Sequence, residues 1–314
     1  MKRTFALFAA WIFVISAVSL GGRAHSAPLQ TDLSAGNAVT IVVTPQARNK
    51  KEAVAAAKLT ADDFAVKENG RPQKVVSARR AGNSPLLVEL LIQDNLRTRT
   101  HGELKGLQDF ILGLPEGSRV FVGYLTTGSM DVRHDFTTDR QAAAESIRVL
   151  TGQSPNDPYV EVIEALKRFD SQPQGRRIIV LLSDGLDLSH GVVDSNPDDS
   201  IDLGRAIREA QARGVAIFSF FESAIEPGNL DRRLGFTFGE GSLDHLAAQT
   251  GGDSFLGPTD VVSLTPYLAE MKDELSAQWL VTYQSANTGS GIRKVQVTAE
   301  QRVHLHYAHG YWVK

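Results

Sequence analysis

The stretch LLVELLIQDNLRT, residues 86–98, contains an almost uninterrupted apolar run that ends at Asp94. A run of this kind is typical of a strand buried on both faces, as in a parallel sheet covered by helices. A carboxylate buried at the end of such a strand is costly unless it is paired or binds a cation. Ligands of open α/β sheets bind at the carboxyl ends of the strands. Asp94 is therefore either a site residue or the N-cap of the next helix.

The same pattern recurs in RRIIVLLSDG (176–185), an apolar strand that ends in Asp184. Further apolar strands, RVFVGYLT and VAIFSFFE, alternate with amphipathic helices such as YVEVIEALKRF. Strands that alternate with helices pair in parallel through right-handed crossovers. The sequence predicts an α/β, doubly wound, mostly parallel Rossmann-like sheet with helices on both faces. The loops after Asp94, Asp184 and Glu222 then share one rim.

The two flanks have a different pattern. The N-terminal stretches AVTIVVTPQ and FAVKENGRPQKVVSARR are strand-like, and an Asn-Gly turn interrupts the second. At the other end, QWLVTYQS, IRKVQVTA and RVHLHYAHGYWV alternate polar and apolar residues. We expect one small antiparallel β unit built from both flanks. The predicted division is an N-terminal β segment (27–84), an inserted α/β domain (85–276), and a C-terminal β segment (277–314) that packs with residues 38–80.

Residues 1–26 have the three parts of a secretory signal peptide. Lys2 and Arg3 precede the apolar run FALFAAWIFVISAVSL, and small and polar residues follow. The sequence predicts cleavage after Ser26 and export to the periplasm or the extracellular space, with no stable membrane span after cleavage. The alternative is an uncleaved inner-membrane anchor, because the apolar run approaches the length that spans a bilayer.

Charge and composition exclude several classes of function. The 314-residue chain has a formal net charge of -3, and residues 1–26 hold three basic residues and no acid, so their removal leaves -6. A mildly acidic exported protein is a poor candidate for nucleic-acid binding, which needs a basic face. The chain has no Cys, and therefore no disulfide, thiolate metal site or Cys nucleophile.

The two strand-end carboxylates belong to a pattern that resembles a known family. An apolar strand that ends in Asp-x-Ser-x-Ser, a later Thr loop and a strand that ends in Ser-Asp-Gly form the metal-ion-dependent adhesion site of von Willebrand factor type A (VWFA) domains. Residues 85–275 resemble this family. The flanking LTADDFAVKENGRPQKVVS and HGYWVK are similar to segments of its exported bacterial VWFA-related subgroup.

The resemblance implies a metal site at Asp94, Thr98, Asn156 and Asp184, for Mg²⁺ or else Mn²⁺ or Ca²⁺. Leu96 stands where the family has its first ligand Ser, and a Leu side chain cannot coordinate a metal, so the site is degenerate. Hard cations take about six oxygen ligands, some of which are waters, so the loss of one hydroxyl weakens binding without excluding it.

Some alternatives to this metal site stay open at the level of sequence. Ser154 and Asp157 lie in the same GQSPNDPY stretch as Asn156 and also carry oxygen donors. Asp94 could instead cap the following helix or pair with Arg97 or Arg99, and Asp184 could stabilise the neighbouring loop.

Two loops of the predicted rim are candidates for partner binding. DGLDLSHGVVDSNPDDS is acidic and includes Asp187, and we expect it to be solvated, with Ser200 capping the next helix. ESAIEPGNLDRRLGFTFGEGS is long and Gly-rich, and long loops on such rims are often functional. Arg and aromatic side chains anchor protein interfaces. The second loop carries four such side chains: Arg232, Arg233, Phe236 and Phe238.

Three classes of function follow from these features. The first is a non-catalytic, exported protein-binding or adhesion module, in which the family's cation is completed by an acidic side chain of a protein ligand. The second is a structural subunit of a cell-envelope assembly. The third is a metal-assisted hydrolase, which the sequence favours least because it has no nucleophile elbow, phosphate-binding Gly loop or zinc motif.

Overall fold

The computed structural model describes two sheets with helices around one of them. The described residues are 38–47, 49–96, 101–153, 155, 157–192, 195–222, 230–256 and 263–313. The signal peptide expected in residues 1–26 lies outside them. No helix among these residues is long and apolar enough to cross a membrane.

The larger domain contains a six-stranded sheet in the order β6-β5-β4-β7-β8-β9. All neighbouring strands are parallel except the β5–β6 pair. Its strands are β4 (Leu86–Gln93), β5 (Arg119–Leu125), β6 (Met130–Thr137), β7 (Arg176–Ser183), β8 (Val215–Phe221) and β9 (Ser254–Leu256). Its helices are α2 (His101–Leu112), α3 (Arg140–Glu145), α4 (Pro158–Arg168), α5 (Ile201–Arg213), α6 (Leu230–Thr250) and α7 (Thr265–Ala277).

Two apolar clusters cover the two faces of this sheet, as the apolar strands require. The alternating β4 residues Val88 and Leu90 pack in one cluster with α2, α3 and α7, and Leu87 and Leu91 pack in the other with α4, α5 and α6. Every residue of β4 and of β7 is buried. The α/β fold class predicted from the sequence is confirmed.

The flanks form a second, seven-stranded antiparallel sheet in the order β12-β1-β10-β3-β2-β11-β13. The strands are β1 (Ala38–Gln46), β2 (Phe64–Glu68), β3 (Arg71–Arg80), β10 (Trp279–Gln284), β11 (Gly291–Ala299), β12 (His304–Tyr307) and β13 (Gly310–Val313); helix α1 (Lys50–Ala57) follows β1. The two edge strands of this order, β12 and β13, are separated by only two residues in the chain. The sheet therefore curves so that its edges approach each other around a third apolar core. The expectation that both flanks build one antiparallel unit is confirmed.

A buried arginine connects the two sheets. Arg176, at the start of β7, donates hydrogen bonds to the side chain of Gln278 (2.6 Å) and to the carbonyl oxygens of Leu275 (2.6 Å) and Gly82 (3.2 Å). Gln278 in turn donates to the Thr44 hydroxyl of β1 (3.0 Å). The α/β domain is thereby fixed against the β unit at the amino ends of its strands, and the opposite rim lies away from this connection.

Candidate functional site

The parallel strands β4, β7 and β8 are neighbours, so their carboxyl ends lie at one edge of the sheet. Asp94 directly follows β4, and Asp184 directly follows β7. Both side chains are buried, with exposed fractions of 0% for Asp94 and 5% for Asp184. The two strand-end carboxylates thus occupy neighbouring positions at this edge.

The Asp94 carboxylate is fully engaged by donors. Its Oδ1 accepts hydrogen bonds from Arg148 Nη1 (2.7 Å) and from the backbone N–H of Thr151 (3.0 Å), and its Oδ2 accepts from the Thr151 hydroxyl. Burial alone would raise the pKa of Asp94, but the hydrogen bonds from Arg148 and Thr151 hold it below the ordinary value. Asp94 is therefore an ionised, paired carboxylate.

Arg148 has contacts besides its ion pair with Asp94. Its guanidinium also donates to Asp131 Oδ2 (2.9 Å) and lies over the Tyr124 ring, 4.1 Å from the centroid. The Tyr124 hydroxyl donates to the Arg148 carbonyl (2.8 Å). No sequence motif indicates Arg148, which follows the short helix α3. Pairing of Asp94 with Arg97 or Arg99 is one of the alternatives that the sequence leaves open, and both of those arginines lie outside the described residues.

The Asp184 carboxylate closes a turn at the end of β7. Its Oδ1 accepts from the backbone N–H of Leu186 (3.1 Å), while Gln93 Oε1 accepts from Ser183 Oγ (2.7 Å) and from the Asp184 N–H (3.2 Å). Burial raises the pKa of Asp184 to about 6. This arrangement agrees with a loop-stabilising role.

The metal set expected from the family is only partly described. Thr98 and Asn156 lie outside the described residues, so the set as a whole stays a prediction. Leu96 is buried in the apolar core, with 6% exposed, as its side chain requires. Arg148 already supplies the positive charge beside Asp94, and both Asp94 oxygens have donors. Asp94 is therefore a poor fit for a divalent cation in this arrangement.

A second group of carboxylates lies at the first turns of α4 and α5. One carboxylate oxygen from each of Asp157, Asp187 and Asp202 lies within 4.8 Å of the other two. Asp157 is the N-cap of α4 and accepts from the Tyr159 N–H (2.8 Å), and Asp202 is in the first turn of α5. We name these three residues the acidic cluster.

The electrostatics of the acidic cluster favour a positive ligand. Burial, and then the charge of Asp187, raise the pKa of Asp157 to about 6. Asp187 accepts from the Ser189 N–H (3.0 Å), and Asp202 is paired with Arg205 (2.5 Å). Carboxylates also stabilise helix N-termini, which accounts for Asp157 and Asp202 individually. Mutual repulsion among the three is what a cation or a basic side chain would relieve.

Exposed apolar side chains occur in the same two first turns. Ile201 begins α5 and is 76% exposed, and Val160 in α4 is 46% exposed. Helices α4 and α5 pack against each other. Val160 follows Asp157 by three residues, and Ile201 directly precedes Asp202, so each apolar side chain is close in sequence to a member of the acidic cluster. The sequence indicates Asp187 as a rim residue, but no pattern indicates Val160 or Ile201, because their exposure depends on how the helices pack.

The prediction of a loop over residues 223–241 is wrong for most of that range. Helix α6 begins at Leu230, 12 residues before the helix expected from SLDHLAAQTGG. Glycine usually disfavours helix, but at position 239 it allows close packing: a Cβ there would lie 1.9 Å from the Asp184 carbonyl oxygen. Residues 223–229 lie outside the described part of the chain.

The four rim residues expected in that stretch are placed differently by helix α6. Arg233 is exposed, and Phe236 is half-buried with its ring edge-on to Phe221, 4.8 Å between centroids. Phe238 is also half-buried. The side chain of Arg232 lies outside the described residues. Phe236 therefore packs on the end of β8 and does not project as a free anchor.

Comparisons with known proteins bear on the fold alone. No family model matches the chain, and no curated protein matches it. Many solved structures are similar to it, and three of them are described here. A von Willebrand factor type A protein from Catenulispora acidiphila is 13% identical, with 82% of this chain and 74% of that chain covered and a TM-score of 0.47.

The other two structures are bacterial proteins of the envelope or pilus. An aerotolerance-related membrane protein from Bacteroides fragilis is 14% identical, with 61% of this chain and 98% of that one covered and a TM-score of 0.41. The vWF domain of the type V pili tip protein Mfa5 from Porphyromonas gingivalis is also 14% identical, with 61% and 94% covered and a TM-score of 0.42. The chain thus resembles von Willebrand factor type A domain proteins, bacterial ones among them.

Proposed function

We propose that this chain, whose larger domain resembles von Willebrand factor type A domains, is an exported, non-catalytic protein-binding module. Its binding surface is the rim at the first turns of α4 and α5. The observation that carries the proposal is the acidic cluster together with the exposed side chains of Val160 and Ile201 in the same two first turns. Exposed apolar groups beside converging charges are typical of protein interaction sites.

The position of this surface follows from the fold. In open α/β sheets, ligands bind beyond the carboxyl ends of the strands. The rim lies there, away from the Arg176 connection between the two sheets. The apolar side chains supply surface that a partner would bury. The carboxylates select a basic side chain of that partner by direct pairing, or an acidic one if a metal ion bridges the two proteins.

A divalent cation belongs to this proposal. The acidic cluster offers three oxygen ligands, which suits the hard cations Mg²⁺, Mn²⁺ and Ca²⁺, and waters would complete the coordination. Asp94 is a weaker candidate, because Arg148 is its positive partner. The metal would therefore be held by Asp157, Asp187 and Asp202, displaced from the set expected at Asp94.

Partner capture from an envelope fraction tests the surface. The tagged chain is compared with Val160→Ser/Ile201→Ser, and Val54→Ser/Leu112→Ser is the matched control because those side chains are also exposed, at 56% and 40%. We expect the rim variant to lose a partner that the control retains. Identical partners for all three proteins would contradict the assignment of the binding surface to the rim. That result would favour the alternative, a structural subunit of an envelope assembly that docks through another surface.

Calorimetric titration with Mg²⁺, Mn²⁺ and Ca²⁺ tests the cation. Heat of binding is expected to disappear in Asp187→Asn and to persist in Asp94→Asn. Because protons compete for the Asp157 carboxyl, whose pKa is about 6, affinity is expected to fall as the pH drops below 6. Absence of heat and of any change in Tm with all three ions would remove the metal and leave the protein-binding surface to be judged by the capture experiment.

A further inference from the structure

Charge is distributed unevenly between the two sheets. Residues 38–80 and 277–314, which build the antiparallel unit, hold 13 Lys and Arg against 5 Asp and Glu. Residues 81–276 hold 17 against 30. The mildly acidic overall charge therefore conceals a basic β unit attached to a strongly acidic α/β domain. The basic unit is a separate candidate for an electrostatic interaction.

The lysines of the β unit lie in line on its outer face. The inner face carries the apolar core, and Lys67 and Lys74 are on the opposite, exposed side of β2 and β3. Lys294 of β11 is likewise exposed. From the pairings Lys67↔Gln296 and Val66↔Gln73, the three lysines occupy diagonal positions on adjacent strands. Diagonal neighbours in a sheet are about 7–8 Å apart. We name Lys74, Lys67 and Lys294 the lysine stripe.

The stripe leads to exposed aromatic and aliphatic side chains. Beyond Lys294 on the same face, Ile292 pairs with Trp312 of β13, and the two are 45% and 41% exposed. Val76, at the β-bulge of β3, is 50% exposed. These are three of the large apolar side chains that the described part of the chain leaves open to solvent. A Trp beside an Ile and a row of lysines is the composition of surfaces that insert at a membrane interface.

Among the described residues, no carboxylate lies at the outward positions of these strands themselves; the exposed Glu300 follows β11, six residues beyond Lys294. The outward positions of β2, β11 and β13 otherwise carry Ala65, Gln296, Thr298 and Gly310, and β3 adds Pro72, Ser77 and Arg79. Among the described residues, no ion pair involves any of the three stripe lysines. A solvated protein surface normally mixes charges of both signs. One-signed charge with unpaired lysines points to an anionic counterpart.

We propose that the outer face of strands β3, β2, β11 and β13 docks on an anionic phospholipid bilayer. The lysine stripe contacts the headgroups, and Trp312, Ile292 and Val76 enter the interfacial layer. Lys side chains suit this position because their apolar stems lie along the interface while the ammonium group reaches the phosphates. An acidic protein would match the lysines, but it would not require the Trp and the two aliphatic side chains.

The point at which the chain enters the β unit agrees with this assignment. Ala38, the first described residue, pairs with Gln284, which pairs with Lys74, so the chain enters the sheet in the row of the lysine stripe. Seventeen residues separate it from the apolar run that ends at Leu20. That length spans up to about 60 Å when extended. If the apolar segment is retained, a connection of this length allows the face to reach the membrane; docking itself does not require it.

Vesicle co-sedimentation tests the proposal, using the chain from Ala27 onward, which keeps every described residue. The vesicles are phosphatidylcholine with and without phosphatidylglycerol. Binding is expected only with phosphatidylglycerol and is expected to fall with added salt. Each basic side chain at an anionic surface contributes roughly a fivefold gain in binding, so Lys67→Gln/Lys74→Gln/Lys294→Gln should weaken it about a hundredfold.

Two further variants make the result specific. Lys167→Gln/Arg208→Gln/Lys272→Gln removes the same charge from exposed positions of the α/β domain and is expected to leave vesicle binding unchanged. Trp312→Ser is expected to weaken binding and to abolish the blue shift of tryptophan emission on vesicles. Equal binding to both vesicle types, or equal loss in the two triple variants, would overturn the proposal. So would self-association through the lysine stripe without vesicle binding, since that would assign the face to the acidic domain of a second copy.

Discussion

The pair between Arg148 and Asp94 gives the sharpest test of how the rim is held. The proposed perturbation is Arg148→Met, which keeps an extended side chain over the Tyr124 ring and removes the guanidinium. Asp94 has an exposed fraction of 0%, so its carboxylate would stay buried beside the Thr151 donors with no positive partner. Asp131→Asn is the control, because Asp131 contacts the same guanidinium from a position that is 36% exposed.

The magnitude follows from the burial of each partner. Removing one member of a buried ion pair costs about 3–5 kcal/mol, because the other charge is left buried without compensation. Thr151 still donates two hydrogen bonds to Asp94, and Arg148 is 21% exposed, so the lower end applies. We expect Arg148→Met to lower the free energy of unfolding by about 3 kcal/mol. Asp131→Asn should lower it by less than about 1 kcal/mol, as for a surface ion pair.

The pH dependence gives an independent signature. In the native chain the pKa of Asp94 is below its ordinary value, so its contribution to stability is present at neutral pH and is lost as the pH falls through that lowered pKa. Without Arg148, burial is expected to raise the pKa of Asp94 instead. The variant then regains stability as the pH falls, because the protonated carboxyl is neutral, and the difference from the native chain narrows in acid.

Urea denaturation followed by circular dichroism, at pH 7 and pH 5, measures both effects. We expect the free energy of unfolding of Arg148→Met to be about 3 kcal/mol below that of the native chain at pH 7, and the difference to be smaller at pH 5. Arg148→Met and Asp131→Asn with equal effects, or a difference that does not change with pH, would refute the assignment of Arg148 as the counter-charge of Asp94.

Three further predictions concern buried groups and close packing. Glu89 is buried in β4 with neither carboxylate oxygen hydrogen-bonded, and burial raises its pKa well above 4.5. Glu89→Leu should therefore raise the free energy of unfolding, measured in urea, by about 1–3 kcal/mol at pH 7. This gain should shrink as the pH falls toward 4.5, because the Glu89 carboxyl is then protonated in the unfolded chain as well. Glu68 accepts hydrogen bonds from Tyr283 (2.8 Å), Tyr311 (2.7 Å) and Ser285 (2.9 Å). Glu68→Gln should therefore lower the free energy of unfolding by about 2–3 kcal/mol, which is measured as a lower Tm. Gly239→Ala should lower the free energy of unfolding by about 1–3 kcal/mol, whereas Gly204→Ala, whose added Cβ would lie 3.4 Å from its nearest neighbour, should raise it by about 0.5–1 kcal/mol.

The sequence was sufficient for the architecture, because that depends on local periodicity. The apolar runs that end at Asp94 and Asp184 identify central parallel strands, and the alternating flanks identify an antiparallel unit. Helix α6 was missed over its first turns for a physical reason. Glycines in FGEGS disfavour helix locally, and only the tertiary contact between residues 239 and 184 explains why one is needed there.

The site was less predictable, because it depends on partners distant in sequence. Arg148 is 54 residues from Asp94, and no spacing rule connects them. The acidic cluster joins three segments through the packing of α4 against α5. The sequence indicates Asp157 only as an alternative to Asn156 and Asp187 only as a rim residue. Their proximity to Asp202 depends on tertiary packing and has no signal in the sequence.

Site-specific photo-cross-linking locates the proposed binding surface at the first turns of α4 and α5. A photoreactive residue replaces Ile201 in the expressed chain, and a second protein carries it at Leu112, at the end of α2 and so at the opposite edge of the sheet. The account predicts a discrete cross-linked protein from position 201 and none from position 112. A cross-link confined to position 112, or the same product from both positions, would contradict it.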